Sequence, residues 1–180
     1  YPPSRRRLTP GHEDHHLELN DLDRIITHVH QSALDVLGPV TQPVTVHQSK
    51  FSMGTVLALV ARFEHADLQA FDQHFKDEVT KTLRDKVSMV LDAEVDSAYP
   101  QRWIGKVTVH TRDGRVLHGR VDEPKGDPGN TLSRDEISAK VLRLAAYSGG
   151  ATPDETVTVL QQLWQVMQWP KVQRLLPAAA

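Results

Sequence analysis

The sequence predicts an α+β fold: a two-layer sandwich of a mainly antiparallel sheet with helices on one face, followed by a carboxy-terminal helical tail. One observation is a hairpin pattern over residues 104–121, where two segments rich in β-branched residues flank an Asp-Gly pair. A second is a long stretch with helical apolar spacing over residues 51–85. The third is a Ser-Arg-Asp-Glu capping box at residues 133–136, which predicts the start of another helix.

The amino-terminal region, residues 1–19, is predicted to be an irregular arm followed by a short helix. Residues 1–10 are basic and carry several prolines, whereas residues 11–20 have the composition of a short helix. The arginine run at residues 5–7 has two interpretations. It is either a solvated part of the arm or a carboxylate-binding loop, because the planar guanidinium group fits a carboxylate through two hydrogen bonds.

The second region, residues 20–128, is predicted to be an α+β domain of the lid type. Strands are expected at residues 25–30 and 86–91, where β-branched or alternating apolar residues cluster. Helices are expected between them at residues 51–63 and 68–85, because apolar residues recur there every three or four positions.

Further elements of this region are shorter. Residues 32–37 predict a short helical segment, and residues 96–101 predict a loop. The hairpin strands are expected at residues 104–112 and 115–121, joined through Asp113-Gly114 as a type I′ turn.

The third region, residues 129–180, is predicted to be a helical tail. Its first helix begins at the capping box and is broken at Gly149, and a second begins at Pro153 and ends near Trp169. The tail carries large apolar residues that a single tail cannot bury. We therefore expect it to pack on a helical domain or on a partner chain.

Composition excludes several classes of function. Hydrophobic residues make up 39% of the chain, the formal charge is −2 and the pI is near 6.6, which argues against a nucleic-acid partner. No apolar run approaches the roughly 20 residues that span a bilayer. The first residues lack the apolar core of a signal peptide, so a cytoplasmic location is predicted. The chain has no cysteine, which rules out disulfides and thiol nucleophiles.

The chain has ten histidines, and two groups of them are candidates for chemistry. His12, His15 and His16 lie beside acidic residues, and imidazoles and carboxylates at short spacing suit divalent metals. No His-Glu-x-x-His pattern and no distant ligand accompanies them, so no metal site is predicted. His28 and His30 alternate along a predicted strand and are interpreted as exposed strand positions.

An ordered series of residues in the second half of the chain carries a family resemblance. The series consists of Asp113-Gly114, Pro124-Lys-Gly-Asp-Pro128, Asn130, Leu132-Ser133, Glu136 and Lys140. It resembles the carboxy-terminal part of the MmgE/PrpD family, which contains 2-methylcitrate dehydratases, cis-aconitate decarboxylases and an iminodisuccinate epimerase. Thr131 stands where that family usually has proline. The family also has a larger, helical amino-terminal domain, which we expect to be absent from this chain.

The resemblance implies where a site would lie. Family members carry a lysine before a Tyr-Pro step, a Cys or His two residues on, and another His four later. Tyr1-Pro2 matches the step, but Ser4 stands at the Cys or His position and Pro10 falls at the second His position. His12, two residues away from Pro10, is therefore the candidate for proton transfer.

Other positions follow from the same resemblance. Tyr1, Ser4 and Arg5 are the candidates for substrate binding, and no cofactor is implied. Residues 51–53, Phe-Ser-Met, resemble the Phe-Ser-Leu-Pro-Tyr start of a family helix. Here Thr55 replaces the tyrosine, which removes a phenol.

Two main hypotheses about function follow. The first is the carboxy-terminal portion of an MmgE/PrpD-type lyase acting on a small di- or tricarboxylic acid, 2-methylcitrate dehydratase-like, with a helical domain or partner chain and as a homodimer. The second is a non-catalytic relic or interaction module that keeps the fold but not the site. A histidine-cluster metal-binding module is a third, weaker alternative.

Overall fold

The structure is a computed structural model that describes residues 6–8 and 15–171. The described residues divide into two compact units, one on each side of the bond between Gly129 and Asn130. The first unit contains the sheet and the second contains two helices.

The first unit alternates strands with short helices. Its strands are β1 (Arg6–Leu8), β2 (His15–Leu17), β3 (Leu22–Val29), β4 (Val87–Leu91), β5 (Gly105–Thr111) and β6 (Val116–Val121). Its helices are α1 (Gln31–Leu37), α2 (Val46–Lys50), α3 (Met53–Phe63), α4 (Leu68–His74), α5 (Glu78–Arg84) and α6 (Ala93–Ala98). A 3₁₀ turn, Leu19–Asp21, precedes β3.

The main sheet has the strand order β4-β3-β5-β6. β5 pairs with β3 and β6 in antiparallel fashion, whereas β4 lies parallel to β3. The sheet is therefore mixed, because the helices α1 to α5 carry the chain from β3 to the start of β4 as a crossover. The predicted α+β class is confirmed. β1 and β2 form a separate antiparallel pair.

The core lies on one face of the sheet. Ile25 on β3 is 6% exposed and packs in one cluster with Ala58 and Ala61 of α3 and Leu83 of α5. Side chains of a strand alternate between faces, so the neighbours of Ile25 point away from these helices. The opposite face of the sheet is polar and carries His28 and its cross-strand partners.

Four local predictions differ from the structure. The helix predicted for residues 11–20 is replaced, where the chain is described, by β2 and the 3₁₀ turn. The helix predicted for residues 68–85 is two helices, α4 and α5. Asp77 stands before α5, and its carboxylate accepts hydrogen bonds from His74 (2.9 Å) and Arg62 (3.0 Å). These bonds lower the pKa of Asp77 and fix the break.

The other two differences concern the hairpin and the segment before it. Much of the loop predicted for residues 96–101 belongs to α6, which Asp92 caps by accepting from the Val95 amide (3.1 Å). In the hairpin only Gly114 has a positive φ, 88°. Its amide donates to the Thr111 carbonyl at 3.0 Å. The connection is therefore a three-residue loop with a glycine bulge rather than a type I′ turn.

The second unit confirms the predicted helix starts. α7 (Arg134–Ser148) and α8 (Pro153–Trp164) are its helices. Ser133 and Glu136 form the predicted capping box, and Thr152 with Glu155 forms another at the start of α8. α8 ends at Trp164, earlier than predicted, and a 3₁₀ turn, Val166–Gln168, follows.

Candidate functional site

A cleft of about 460 Å³ lies at the amino-terminal end of α3. It is lined by the carboxy-terminal ends of α1 and α5, the amino-terminal end of α3 and the start of β4. Residues at the start of α3 and at the end of α5 carry its chemistry: Ser52, Met53, Gly54, Arg84 and Asp85. The cleft joins a helix start to a positively charged side chain.

Ser52 builds the helix start. Its side-chain oxygen accepts hydrogen bonds from the Thr55 amide (3.4 Å) and the Thr55 hydroxyl (3.0 Å). The amides of Met53 and Gly54, in the first turn, have no partner within the helix. A helix start carries a partial positive charge, so this end of α3 favours a negatively charged group.

Arg84, the last residue of α5, supplies a full positive charge to the same cleft. The residue is only 9% exposed. Its Nε donates to the Asp85 carboxylate at 3.1 Å, whereas within the described residues its two terminal nitrogens have no hydrogen-bond partner. Because Arg84 lines the cleft, a carboxylate bound there can accept from both terminal nitrogens at once.

Gly54 makes the approach of these two elements possible. A Cβ atom at position 54 would lie 2.7 Å from Cγ of Arg84 and 2.9 Å from its carbonyl oxygen. The carbonyl belongs to the backbone and cannot rotate away. Glycine at position 54 therefore allows the first turn of α3 to lie against Arg84.

A second polar cluster lies on the open face of the sheet, around a cavity of about 340 Å³. His28 on β3 and His118 on β6 contact opposite sides of the Thr108 hydroxyl, at 2.9 and 3.2 Å. Lys106 lies beside them and donates to both carboxylate oxygens of Asp92 at 3.0 Å. Hydrogen bonds to Glu94 and then to Asp92 raise the pKa of Lys106, and the bonds from Lys106 lower the pKa of Asp92.

The remaining charges of this cluster neutralise one another. Arg120 binds Glu94 through two hydrogen bonds of 2.7 and 3.0 Å and binds Asp122 at 2.7 Å. Arg120, and then Lys106, lowers the pKa of Glu94 to about 2. Each cation already has carboxylate partners, so a ligand carboxylate would have to displace one. The cleft at α3 is therefore the better candidate for binding an acid.

The comparison with protein families shows to which family this domain belongs. The MmgE/PrpD C-terminal domain matches residues 8–166 of the chain. The chain belongs to the MmgE/PrpD family. No curated protein matches it with significance.

Within the MmgE/PrpD fold, residues 51–53 lie at the start of α3, where the family resemblance predicts them. Thr55 is fully buried and bonds to Ser52, so its hydroxyl does not reach the cleft. The structure thus shows a cleft at this helix start without the phenol of the family pattern.

The predicted site residues lie elsewhere in the chain. Tyr1, Ser4, Arg5 and His12 are all outside the described residues, so their roles stay predictions. Within the described residues, no group of three or more metal-binding side chains occurs. No helix in the described parts of the chain is long and apolar enough to cross a membrane.

Sequence reasoning missed Arg84. Nothing in its local pattern distinguishes it from other arginines near helix ends. The only related signal is glycine at position 54 where the family pattern has proline, and the role of that glycine depends on a contact across 30 positions. The interpretation of His30 as an exposed strand position is wrong, since β3 ends at Val29 and His30 caps α1 by accepting from the Ala33 amide at 3.1 Å.

Proposed function

We propose that the chain is the carboxy-terminal portion of a lyase that acts on a small di- or tricarboxylic acid, as 2-methylcitrate dehydratases do, without a cofactor. The observation that carries this proposal is the match of residues 8–166 to the MmgE/PrpD C-terminal domain. The unused donors of Arg84 at the start of α3 support it, because they suit a carboxylate.

In this proposal the domain holds and orients the acid. Arg84 binds one carboxylate through its terminal nitrogens, and the free amides of Met53 and Gly54 stabilise the same charge. His12 removes a proton from the carbon beside a carboxylate and delivers it to the hydroxyl group on the next carbon, which leaves as water while a double bond forms between the two carbons. Tyr1, Ser4 and Arg5 contribute to substrate binding near His12.

The partners of the domain belong to the same proposal. A helical domain completes the site, and the assembly is a homodimer in the cytoplasm. The large apolar residues of α7 and α8 provide surface for that packing.

The binding step is tested by titrating the chain with citrate and following the Gly54 amide by NMR. Arg84→Gln should weaken binding about 10- to 100-fold, since a hydrogen bond to a charged group contributes about 1.5–3 kcal/mol. Arg102→Gln is the control, because Arg102 is half-exposed and pairs with Asp122 at 3.3 Å, away from the cleft. Equal citrate affinity in both variants would exclude the cleft as the acid site.

The catalytic step is tested in an assembly of the chain with a helical domain of the family. His12→Ala should lower the rate of dehydration by about 10²–10⁴-fold, the usual contribution of a positioned acid or base. An unchanged rate would remove His12 from the mechanism.

The non-catalytic module is retained as a second candidate because of Thr55. The residue is buried and bonded to Ser52, so it cannot replace a tyrosine phenol in chemistry. Acid binding without any turnover in the assembled form would favour this candidate over the lyase.

A further inference from the structure

A second cavity of about 460 Å³ lies in the first unit, between the sheet and the helices α1, α3 and α6. Its lining is mainly apolar and includes Val29, Leu37, Leu57, Val95, Ile104 and Val107. This volume falls within the range of small-molecule sites, and such sites are typically lined by apolar side chains with few polar groups. The proposed lyase function assigns no role to this cavity.

Two glycines on neighbouring strands leave this space open. Gly105 on β5 and Gly119 on β6 both line the cavity, and their cross-strand partners are Val121 and Val107. A Cβ atom added at Gly105 would have no other atom within 4 Å. Glycine weakens a strand and often marks a position where a ligand approaches the backbone. Since no group among the described residues fills the space beside Gly105, packing within this part of the chain does not explain the glycine.

Aromatic rings form one wall of the cavity. The His30 ring stacks on Tyr99 with the centroids 3.9 Å apart, and Trp103 meets both rings edge-on. His30 and Trp103 line the cavity. Trp103 is 54% exposed although its neighbours hold it in place. A flat or cyclic apolar ligand would cover this ring and gain the contact area that aromatic side chains offer.

One hydrogen-bond donor accompanies the apolar wall. Nδ1 of His30 accepts from the Ala33 amide at 3.1 Å, so the neutral ring carries its proton on Nε2. No described residue accepts a hydrogen bond from this Nε2. His30 lines the cavity, and no described residue occupies this donor.

The charged residues at the rim do not call for a charged ligand. Lys106 and Arg120 border the cavity, but carboxylates already neutralise them: Asp92 and Glu94 for Lys106, and Glu94 and Asp122 for Arg120. A ligand carboxylate would have to break these pairs, whereas an uncharged molecule leaves them intact.

We infer that this cavity is a binding site for a small, uncharged, cyclic or aromatic molecule that bears one hydrogen-bond acceptor. Its apolar body lies over Gly105 against Trp103, and its acceptor receives the His30 Nε2 proton. The site adjoins the candidate acid-binding cleft, since Leu37 and Met53 line both, but Arg84 and Gly54 line only the cleft.

The test uses acetophenone, which has a ring and one carbonyl, and ethylbenzene, which has nearly the same shape but no acceptor. Each is titrated into the full chain while NMR follows the Trp103 indole and the Gly105 amide, the indole signal being assigned with Trp103→Phe. We expect saturable shifts of both signals, with acetophenone binding about 2- to 10-fold more tightly, the contribution of one hydrogen bond.

Variants locate the site. Gly105→Val places a branched side chain in the open space and should weaken acetophenone binding at least about tenfold, with Gly105→Ala intermediate. Ser88→Val adds the same side chain at an exposed position of another strand and should leave the affinity unchanged. His30→Asp keeps a capping residue for α1 but has no donor, so it should abolish the preference for acetophenone over ethylbenzene.

Three results would overturn the inference. One is equal acetophenone affinity in the wild-type chain and a folded Gly105→Val variant. Another is the absence of saturable shifts at Trp103. The third is a shift of the Trp103 and Gly105 signals when the protein concentration is raised without ligand. Such a shift would show that a second copy of the chain covers this surface.

Discussion

At the scale of the residue, the contact between Gly54 and Arg84 explains most about the candidate acid site. The start of α3 supplies free amides, Arg84 supplies the charge, and the absent side chain of Gly54 lets them meet. The same glycine takes the place of a proline in the family pattern. This departure from the pattern and the position of Arg84 are therefore parts of one local arrangement.

Gly54→Ala tests that arrangement. The added methyl group would collide with the Arg84 backbone, and overpacking of this kind costs about 1–3 kcal/mol. Alanine regains up to about 1 kcal/mol through its higher helix propensity. We expect the free energy of unfolding to fall by about 1–2 kcal/mol, measured by urea denaturation. Gly105→Ala, which meets no atom within 4 Å, is the control and should change stability less. An unaltered midpoint for Gly54→Ala would show that the contact relaxes freely.

At the scale of the element, the salt-bridge network ties α6 to the hairpin. Glu94 of α6 is paired with Arg120 of β6 and with Lys106 of β5. These bonds hold the pKa of Glu94 at about 2, below the ordinary glutamate value of 4.5. A carboxyl whose pKa is lowered in the folded state contributes stability above its unfolded pKa, and this contribution is lost as the pH falls through the folded pKa.

Acid should therefore weaken the connection between α6 and the hairpin between about pH 4.5 and pH 2. Arg120→Met removes the hydrogen bonds from Arg120, which are the largest cause of the lowered pKa of Glu94. The pKa of Glu94 should therefore rise towards 4.5. Carboxyl-carbon NMR titration measures it. Arg115→Met is the matched control, because Arg115 pairs with Asp113 at 2.7 Å in the hairpin loop. A pKa of Glu94 that is the same in Arg120→Met and in the wild type would refute this assignment.

At the scale of the whole molecule, residues 8–166 match one domain of a family whose site the resemblance places between two domains. We expect the 180 residues alone to show no turnover of citrate-like acids, because the resemblance implies that a helical domain supplies the other side of the site. The assay is the appearance of an unsaturated acid by ultraviolet absorbance. Steady turnover by the purified 180 residues would disprove this expectation.

The exposed apolar residues of the second unit lead to a prediction about association. Leu144, Tyr147, Val157 and Leu163 are each at least 40% exposed, and Met167 is 94% exposed. Leaving such side chains in water is unfavourable, since burying each contributes roughly 1.5–3 kcal/mol. We therefore expect the chain to associate at micromolar concentration in sedimentation experiments.

The double variant Leu163→Ser and Met167→Ser should shift this equilibrium towards the monomer. Val36→Ser is its control, since Val36 is 56% exposed but lies on α1 in the first unit. A wild-type chain that sediments as a monomer, with Trp164 and Trp169 shielded from a quencher, would show that the tail is covered within its own chain. In that case the expectation of a partner would fail.

What the sequence determined by itself is the set of features that depend on neighbouring residues. The Ser133 capping box, the proline at the start of α8 and the hairpin around Gly114 all involve side chains and amides a few positions apart. The ordered motif from the hairpin into α7 also identified the family. These signals are local, so they can be read along the chain.

Only the tertiary structure decided the features that depend on distant residues. One is the parallel pairing of β3 and β4, which are far apart along the chain. Another is the break between α4 and α5, where Arg62 of α3 contacts Asp77. The cleft at the start of α3 brings together Gly54 and Arg84, which are 30 positions apart in the sequence. The apolar cavity is lined by β5 and β6 together with helices from earlier in the chain. Such contacts leave no periodic pattern, because burial and hydrogen bonding across the core are fixed by packing rather than by spacing.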